Sequence, residues 1–477
     1  MAKLNLNFPS RKYFPLFVIL LCTSSFFQTI SSIHKSKKGG LKLKMIHIDS
    51  PNSPTYQPEL SNFDRFQRLL TISDYRMHYL TTNSTQQHDV PEYHELNSMT
   101  RLYKYEYYSY YVELGLGEFD GGSYHSIFLI VDTGSIVTWT QCEGCRACFT
   151  QSSPHFPMNR SRTYRPYMCK ECHGRQCDQD HCMYHETYAD GTDLKGIWAR
   201  EKLTFASSIA EELIDEFRFV CGIEITNFIE GENDDNIITG VLGMGRGRWS
   251  LLTQLGTRGN YQFSYCLQDS NNLACDMYIR FGDAIQRLPN MFSTPLVYGG
   301  IPTHYYVSLI DISVNDKRLN LPKHLFQAKH DKTGGTVFDT GSFFTYLVSE
   351  AFDIVIDEIS TYVKNYNPSL NKCTDPGVSD TPCWKAIFYT PDVHFPPLIF
   401  HFDRYADLFI DPSNVMSKIF QEAHPRGIYY CVNLRRVRPD SSKINIIGSS
   451  YQINQLVIFD VGNSLLSFAH VDCNLEV

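Results

Sequence analysis

The sequence predicts a mostly β protein made of two related antiparallel β lobes with a cleft between them. Three observations carry that expectation. From about Tyr105 onward the chain runs in short apolar segments divided by Gly, Asn, Asp and Pro, the texture of strands and turns. Helical patterns there are few, with candidates at Ser250–Leu255 and Ser349–Val363. One block occurs twice: Val131-Asp132-Thr133-Gly134-Ser135 returns as Phe338-Asp339-Thr340-Gly341-Ser342. Each copy is followed about a hundred residues later by two apolar residues and Gly, as Val241-Leu242-Gly243 and Ile446-Ile447-Gly448. A block repeated in matching apolar settings points to duplicated halves.

The elements before these lobes have their own character. Lys3, Arg11 and Lys12 precede the apolar run Phe14–Cys22, which is too short to cross a bilayer. This reads as a secretory signal rather than an uncleaved anchor. His34–Lys44 is basic, with Lys35, Lys37, Lys38, Lys42 and Lys44, and the turn-rich IDSPNSPTY follows. Ser61 stands three residues before Asp64, a capping-box-like start. Phe63, Phe66, Leu69 and Leu70 then repeat at helical spacing, predicting an amphipathic helix to about Leu80. Thr81–Ser98 is polar and poorly patterned, as a linker would be, with a glycosylation sequon at Asn83. A second sequon stands at Asn159.

Composition narrows the function. Of 477 residues, 43% are hydrophobic and 20% charged, as in a globular chain, and the net charge is −8. That balance argues against nucleic acid as the main partner, which would need a clustered basic face. There are 15 cysteines, and Cys22 would leave with the signal, so an even number remains. Cys142, Cys145, Cys148, Cys169, Cys172, Cys177 and Cys182 crowd together. In an oxidising compartment these predict disulfides; a zinc cluster is the competing reading.

The repeated Asp carries the chemistry. In each copy it ends an apolar strand, and Thr-Gly lets the chain turn sharply with little bulk. Two such loops meeting in a cleft would set two carboxylates side by side, and like charges that close share one proton over a wide pH range. The ionised member can activate a water while the protonated one polarises a peptide carbonyl. No cofactor or metal is required. One D-T-G alone would be an ordinary capped turn.

From about Tyr105 to Cys473 the ordered motifs DTGSIVTWTQC, QCEGCRAC, GVLGMGRGRWSLLTQL, FSYCL, GGTVFDTGSFFTYL and FPPLIFHFDRYADLFIDPSNV resemble the pepsin-like aspartic proteases. The likeness is to the plant nepenthesin-like branch, and IDSPNSPTY is similar to a prosegment motif of that branch. The resemblance implies the bilobal pepsin-like fold, with Asp132 and Asp339 catalytic. It implies that Tyr188, in Tyr188-Ala189-Asp190-Gly191-Thr192, closes as a flap tyrosine held by Trp139. It further implies that Ser135 and Ser342 bond the carboxylates, and that Thr133 and Thr340, with Gly134 and Gly341, lock the loops together. A prosegment Lys could pair with the dyad; a solvated charge run is the plainer reading. The implied division is a signal over 1–31, a prosegment over 32–98, an N-terminal lobe over 99–295 with flap and cysteine-rich insert, and a C-terminal lobe over 296–477.

The expected function is acid hydrolysis inside polypeptides by a secreted monomer with no membrane span after signal removal, a vacuolar destination being the alternative. The mature chain is expected to begin between about residues 85 and 105. Departures from the family pattern lie at Leu116–Asp120, Ala189 and Ser449-Ser450-Tyr451. Cys275 and Cys373 look additional and could pair or stay free. The competing function is an inhibitor or carbohydrate-binding relative without catalysis.

Overall fold

A computed structural model of the chain describes residues 40–70, 73, 109–172, 176–188, 192–205, 212–228, 236–269, 276–331, 333–373, 381–386, 393–421, 427–437 and 443–475. The signal segment, the linker with Asn83, the flap tip 189–191 and Cys275 lie outside them, as do Lys35, Lys37 and Lys38.

Each lobe positions its Asp in the same way. In the first, His125–Asp132 runs antiparallel to Tyr110–Leu116 and parallel to Gly240–Gly243, with Gly243 opposite Asp132. In the second, Thr336–Phe338 runs parallel to Asn445–Ile447, with Phe338 opposite Ile447. The echoed apolar-apolar-Gly triplets are therefore the strands beside the two Asp strands. Their glycines are required. A Cβ on Gly243 would lie 2.5 Å from the carbonyl carbon of Ile136, and one on Gly448 would lie 2.2 Å from the carbonyl oxygen of Phe344. Both clashes are with backbone of the chain leaving the D-T-G-S loop.

The halves meet in a shared sheet. Leu41–His47 pairs with Met277–Phe281, which pairs with Gln262–Cys266. That strand pairs with Gln455–Asp460 from the far end of the chain, followed by Leu465–His470 and Phe292–Val297. Apolar alternation explains the first strand: Leu41, Leu43 and Met45 are buried, whereas Lys44 points outward to Asp276 at 2.7 Å. Lys42 sits 5.8 Å from the Tyr278 ring centroid. The described part of the basic stretch is thus the outer face of a strand.

The two helices predicted within the lobes are present, whereas most of the predicted continuation of the N-terminal helix from 71 to about Leu80 lies outside the described residues. Ser349–Tyr366 buries Ala351, Phe352, Val355, Ile356, Ile359 and Val363, one face at a helical repeat. Leu251–Leu255 is capped by Ser250, whose side chain accepts from Thr253 N. A helix over 62–70 begins where Ser61 and Asp64 exchange hydrogen bonds, Asp64 N to Ser61 Oγ at 3.2 Å and Ser61 N to Asp64 Oδ2 at 2.9 Å.

Disulfides join Cys142–Cys221, Cys145–Cys148, Cys169–Cys177, Cys172–Cys182, Cys266–Cys473 and Cys383–Cys431. The sulfurs of Cys169, Cys172 and Cys177 lie close enough to suggest a metal cluster. All three are committed to disulfides, so the zinc reading has no thiolates to work with. Cys373 stands opposite Cys383 on neighbouring strands. Among the described residues no helix is long and apolar enough to cross a membrane.

Candidate active site

The two D-T-G-S loops come together from the two lobes. Asp132 is 5% exposed and Asp339 only 1%. Each carboxylate is gripped by its own loop: Gly134 N donates to Asp132 Oδ1 at 2.9 Å, and Gly341 N to Asp339 Oδ1 at 3.2 Å. Thr133 reaches across. Its Oγ1 accepts from Thr340 N at 3.0 Å and lies 3.3 Å from Thr340 Oγ1. It also donates to Asp339 Oδ1 at 3.4 Å. Residues 207 positions apart in the chain are thereby held in one cross-lobe network.

The two serines differ. Ser342 Oγ donates to Asp339 Oδ2 at 2.8 Å, a charge-assisted bond. Ser135 does not mirror it: its Oγ is buried with no hydrogen-bond partner among the described residues, while its carbonyl accepts from Gly245 N at 2.7 Å. The symmetric expectation for these hydroxyls therefore holds in its geometry on the Asp339 side alone.

A second matched pair was not anticipated from sequence. Thr138 Oγ1 accepts from Gly243 N at 3.2 Å, and Thr345 Oγ1 accepts from Gly448 N at 3.1 Å. Each Thr follows its Asp by six residues and ties the loop to the glycine strand beneath it. The repeat D-T-G-S-x-x-T was visible in both copies and could have revealed them.

Tyr188 stands over the first loop. It leaves the strand His181–Thr187, and its N donates to Thr192 O at 2.7 Å, closing the hairpin. Its ring lies 6.3 Å from that of Trp139, which packs 4.8 Å from Phe228 and 6.4 Å from Phe149. Burial raises the Tyr188 pKa, and the charges of Tyr184, Glu186 and Asp132 push the same way. The phenol therefore stays protonated and able to donate. The Trp139 indole N–H opposes that shift slightly from nearby. Even so, neither Tyr188 Oη nor Trp139 Nε1 reaches hydrogen-bond geometry with a described partner. Their contact is aromatic packing.

Ser449, Ser450 and Tyr451, the departures after Gly448, are fully buried. Ser449 N and Ser450 N donate to Ser342 O at 2.7 Å and Phe343 O at 3.0 Å. They buttress the second loop from behind.

One constellation elsewhere imitates a nucleophilic site. Ser313 Oγ lies 2.7 Å from His401 Nε2, and His401 Nδ1 lies 2.7 Å from Asp407 Oδ1. Its burial runs the wrong way for a triad: Ser313 is 5% exposed, whereas the Asp407 side chain is 45% exposed. It ties three neighbouring strands together.

Comparison with known proteins bears on this geometry. Residues 110–283 match the family described as Xylanase inhibitor N-terminal, and residues 304–470 match Xylanase inhibitor C-terminal. The chain is 30% identical to the aspartyl protease AED1 of Arabidopsis thaliana, over 76% of this chain and 72% of that one. It belongs to the nepenthesin-like plant aspartic proteases. As a member of that family it is an aspartic-type endopeptidase. Nepenthesin-1 of Nepenthes gracilis is 29% identical over 72% of this chain and 74% of its own. A probable aspartic protease of Arabidopsis thaliana is 27% identical over 96% of this chain and 99% of its own. Among solved structures, edgp matches with a TM-score of 0.61 at 18% identity, covering 76% of this chain and 92% of that one. Basic 7S globulin from soybean matches with a TM-score of 0.57, at 18% identity and over 76% and 93%. At that identity these two speak for the bilobal fold alone.

Proposed function

We propose that this protease of the nepenthesin-like branch is secreted and cleaves inside polypeptides at acid pH, using a water held between Asp132 and Asp339. The observation that carries the reading is the cross-lobe network in which Thr133 meets both Thr340 and Asp339 while each Asp accepts from its own glycine. A carboxylate pair gathered in this way can divide the work, one member acting as base and the other as acid, as in the aspartic proteases themselves. The ionised member takes a proton from the water as the water attacks the peptide carbonyl. The protonated member donates to the carbonyl oxygen, and a proton then passes to the leaving amine. Tyr188 closes over the substrate from the flap. The proposal extends to a preference for apolar side chains near the scissile bond, in keeping with the aromatic packing behind Tyr188. Ser342 steadies Asp339 in this scheme.

The proposal includes a signal over 1–31, release of the chain by cleavage between about residues 85 and 105, and action as a monomer without nucleic acid. Asn159 is exposed in a short 3-10 turn, which suits a glycan. A second reading, a non-catalytic binder on the same fold, is favoured by one observation, the unpartnered Ser135 Oγ. Hydrolysis of a denatured protein by the secreted chain decides between them. Wild type should cleave at pH 3 to 5 and Asp132→Asn should not; a wild type inert across that range supports the binder.

A further inference from the structure

We infer that Tyr265 and Tyr305 are a crossed pair of positioning residues, each bracing the catalytic loop of the lobe opposite its own through a buried hydroxyl. The inference deepens the proposed hydrolysis and rests on it for its kinetic consequence alone.

Both tyrosines stand in the seam where the lobes share a sheet, and neither has a part in the proposed proton transfers. Tyr265 lies in the strand Gln262–Cys266 of the N-terminal lobe, opposite Val457 of the C-terminal lobe. Tyr305 lies in the strand Tyr305–Val307 of the C-terminal lobe, opposite Phe338, the residue before Asp339. Tyr265 is 2% exposed and Tyr305 is fully buried. One aromatic cluster encloses both rings. Phe459 stacks on Phe263 with centroids 4.6 Å apart, and it meets Tyr305 at 4.5 Å and Tyr265 at 5.9 Å. Rings packed this closely hold their hydroxyls at fixed points.

The first brace is direct. Tyr305 Oη donates to Met244 O at 2.6 Å. The N–H of that same peptide unit belongs to Gly245 and donates to Ser135 O at 2.7 Å, while Met244 N donates to Asp132 O at 2.8 Å. A tyrosine whose backbone is paired beside Asp339 therefore holds the residue that grips the Asp132 loop at both ends.

The second brace runs the other way through one amide. Tyr265 Oη donates to Gln452 Oε1, and Gln452 Nε2 donates to Ile447 O at 2.8 Å. The same carbonyl accepts from Asp339 N at 3.2 Å, and the N–H of its peptide unit, that of Gly448, donates to Thr345 Oγ1 at 3.1 Å. This gives the Tyr of FSYCL a task that the dyad motifs leave unexplained. Burial raises the pKa of both phenols; Asp339, Tyr110 and Tyr305 push Tyr265 the same way, and Arg246 opposes for Tyr305. Both hydroxyls therefore remain donors in acid as at neutral pH, and each Asp loop is kept in register with the far lobe from beneath the Thr133–Thr340 network.

The test compares Tyr265→Phe and Tyr305→Phe in the full chain, beginning with amide hydrogen exchange at neutral pH. The effects should cross. Tyr265→Phe should speed exchange at Asp339 and Gly341 by roughly fivefold, the order expected for one lost hydrogen bond, and leave Gly134 and Met244 unchanged; Tyr305→Phe should do the reverse. Gln452→Leu should reproduce the Tyr265→Phe pattern, and the double variant should go no further, because the two side chains act as one unit. After acid treatment, each Tyr→Phe variant should lose roughly tenfold in kcat with KM within about twofold. Phe459→Leu thins the same cluster without touching either bond, and should lower Tm without favouring one loop. Exchange that quickens only in the lobe carrying the substitution, loops unchanged in both variants, or the crossed pattern in Phe459→Leu would overturn the inference. The exchange readout needs no catalysis, so a wild type that cleaves nothing defeats the hydrolytic reading and leaves the brace to be judged by exchange.

Discussion

Replacing Thr133 by Val isolates the contact that joins the two halves of the site. Thr133 is 1% exposed, and Thr340, whose N–H it accepts at 3.0 Å, is 5% exposed. Valine fills nearly the same space, so no cavity opens, but the Thr340 N–H is left buried without its acceptor. An orphaned buried donor costs about 1–3 kcal/mol. The contacts at 3.3 Å and 3.4 Å to Thr340 Oγ1 and Asp339 Oδ1 are long and add little. The expected loss is therefore about 2 kcal/mol, or a fall in Tm of about 2 °C in a chain of this size. Differential scanning calorimetry at neutral pH measures it. Thr133→Ser keeps the hydroxyl and should recover most of the loss. The Val variant should also lose roughly tenfold in kcat with KM little changed, because loop alignment serves the reacting geometry rather than ground-state binding. A Val variant with wild-type Tm and kcat, or a Ser variant damaged equally, would refute the reasoning.

Other outcomes follow from the same geometry. Gly448→Ala must push the Phe344 carbonyl, 2.2 Å from the new Cβ, and should cost about 3 kcal/mol by calorimetry. Ser342→Ala removes the 2.8 Å bond to Asp339 and should move the acid limb of the pH–rate profile toward neutral, because the ionised carboxylate loses a donor; Ser135→Ala should leave that limb in place. Tyr188→Phe should keep the unfolding free energy within about 0.5 kcal/mol of wild type, since its Oη bonds nothing described, yet lower kcat/KM about tenfold when the flap closes on substrate.

Much of this was legible in the sequence because duplication made it so. The repeated D-T-G-S block named both Asp residues, and the later Val241-Leu242-Gly243 and Ile446-Ile447-Gly448 named the strands beside them. Thr138 and Thr345 went unread, since a lone Thr at or beside a strand start is ordinary until its partner is known. The alternation Leu41, Leu43, Met45 was masked by Lys42 and Lys44, which read as a charge run although they form one face of a strand. Its pairing with Met277–Phe281 spans more than two hundred residues, and no local pattern specifies so distant a partner. The inequality of Ser135 and Ser342 was equally hidden: identical motifs give identical expectations, yet the Ser342 hydroxyl reaches its carboxylate and the Ser135 hydroxyl does not.

The most direct test of the dyad is titration with pepstatin at about pH 4 by calorimetry, on the full chain after acid treatment. Wild type should bind one inhibitor per chain, and Asp132→Asn and Asp339→Asn should each lose binding together with peptide cleavage. Cleavage that persists in both variants, or inhibitor binding indifferent to either carboxylate, would contradict a water shared between the two lobes.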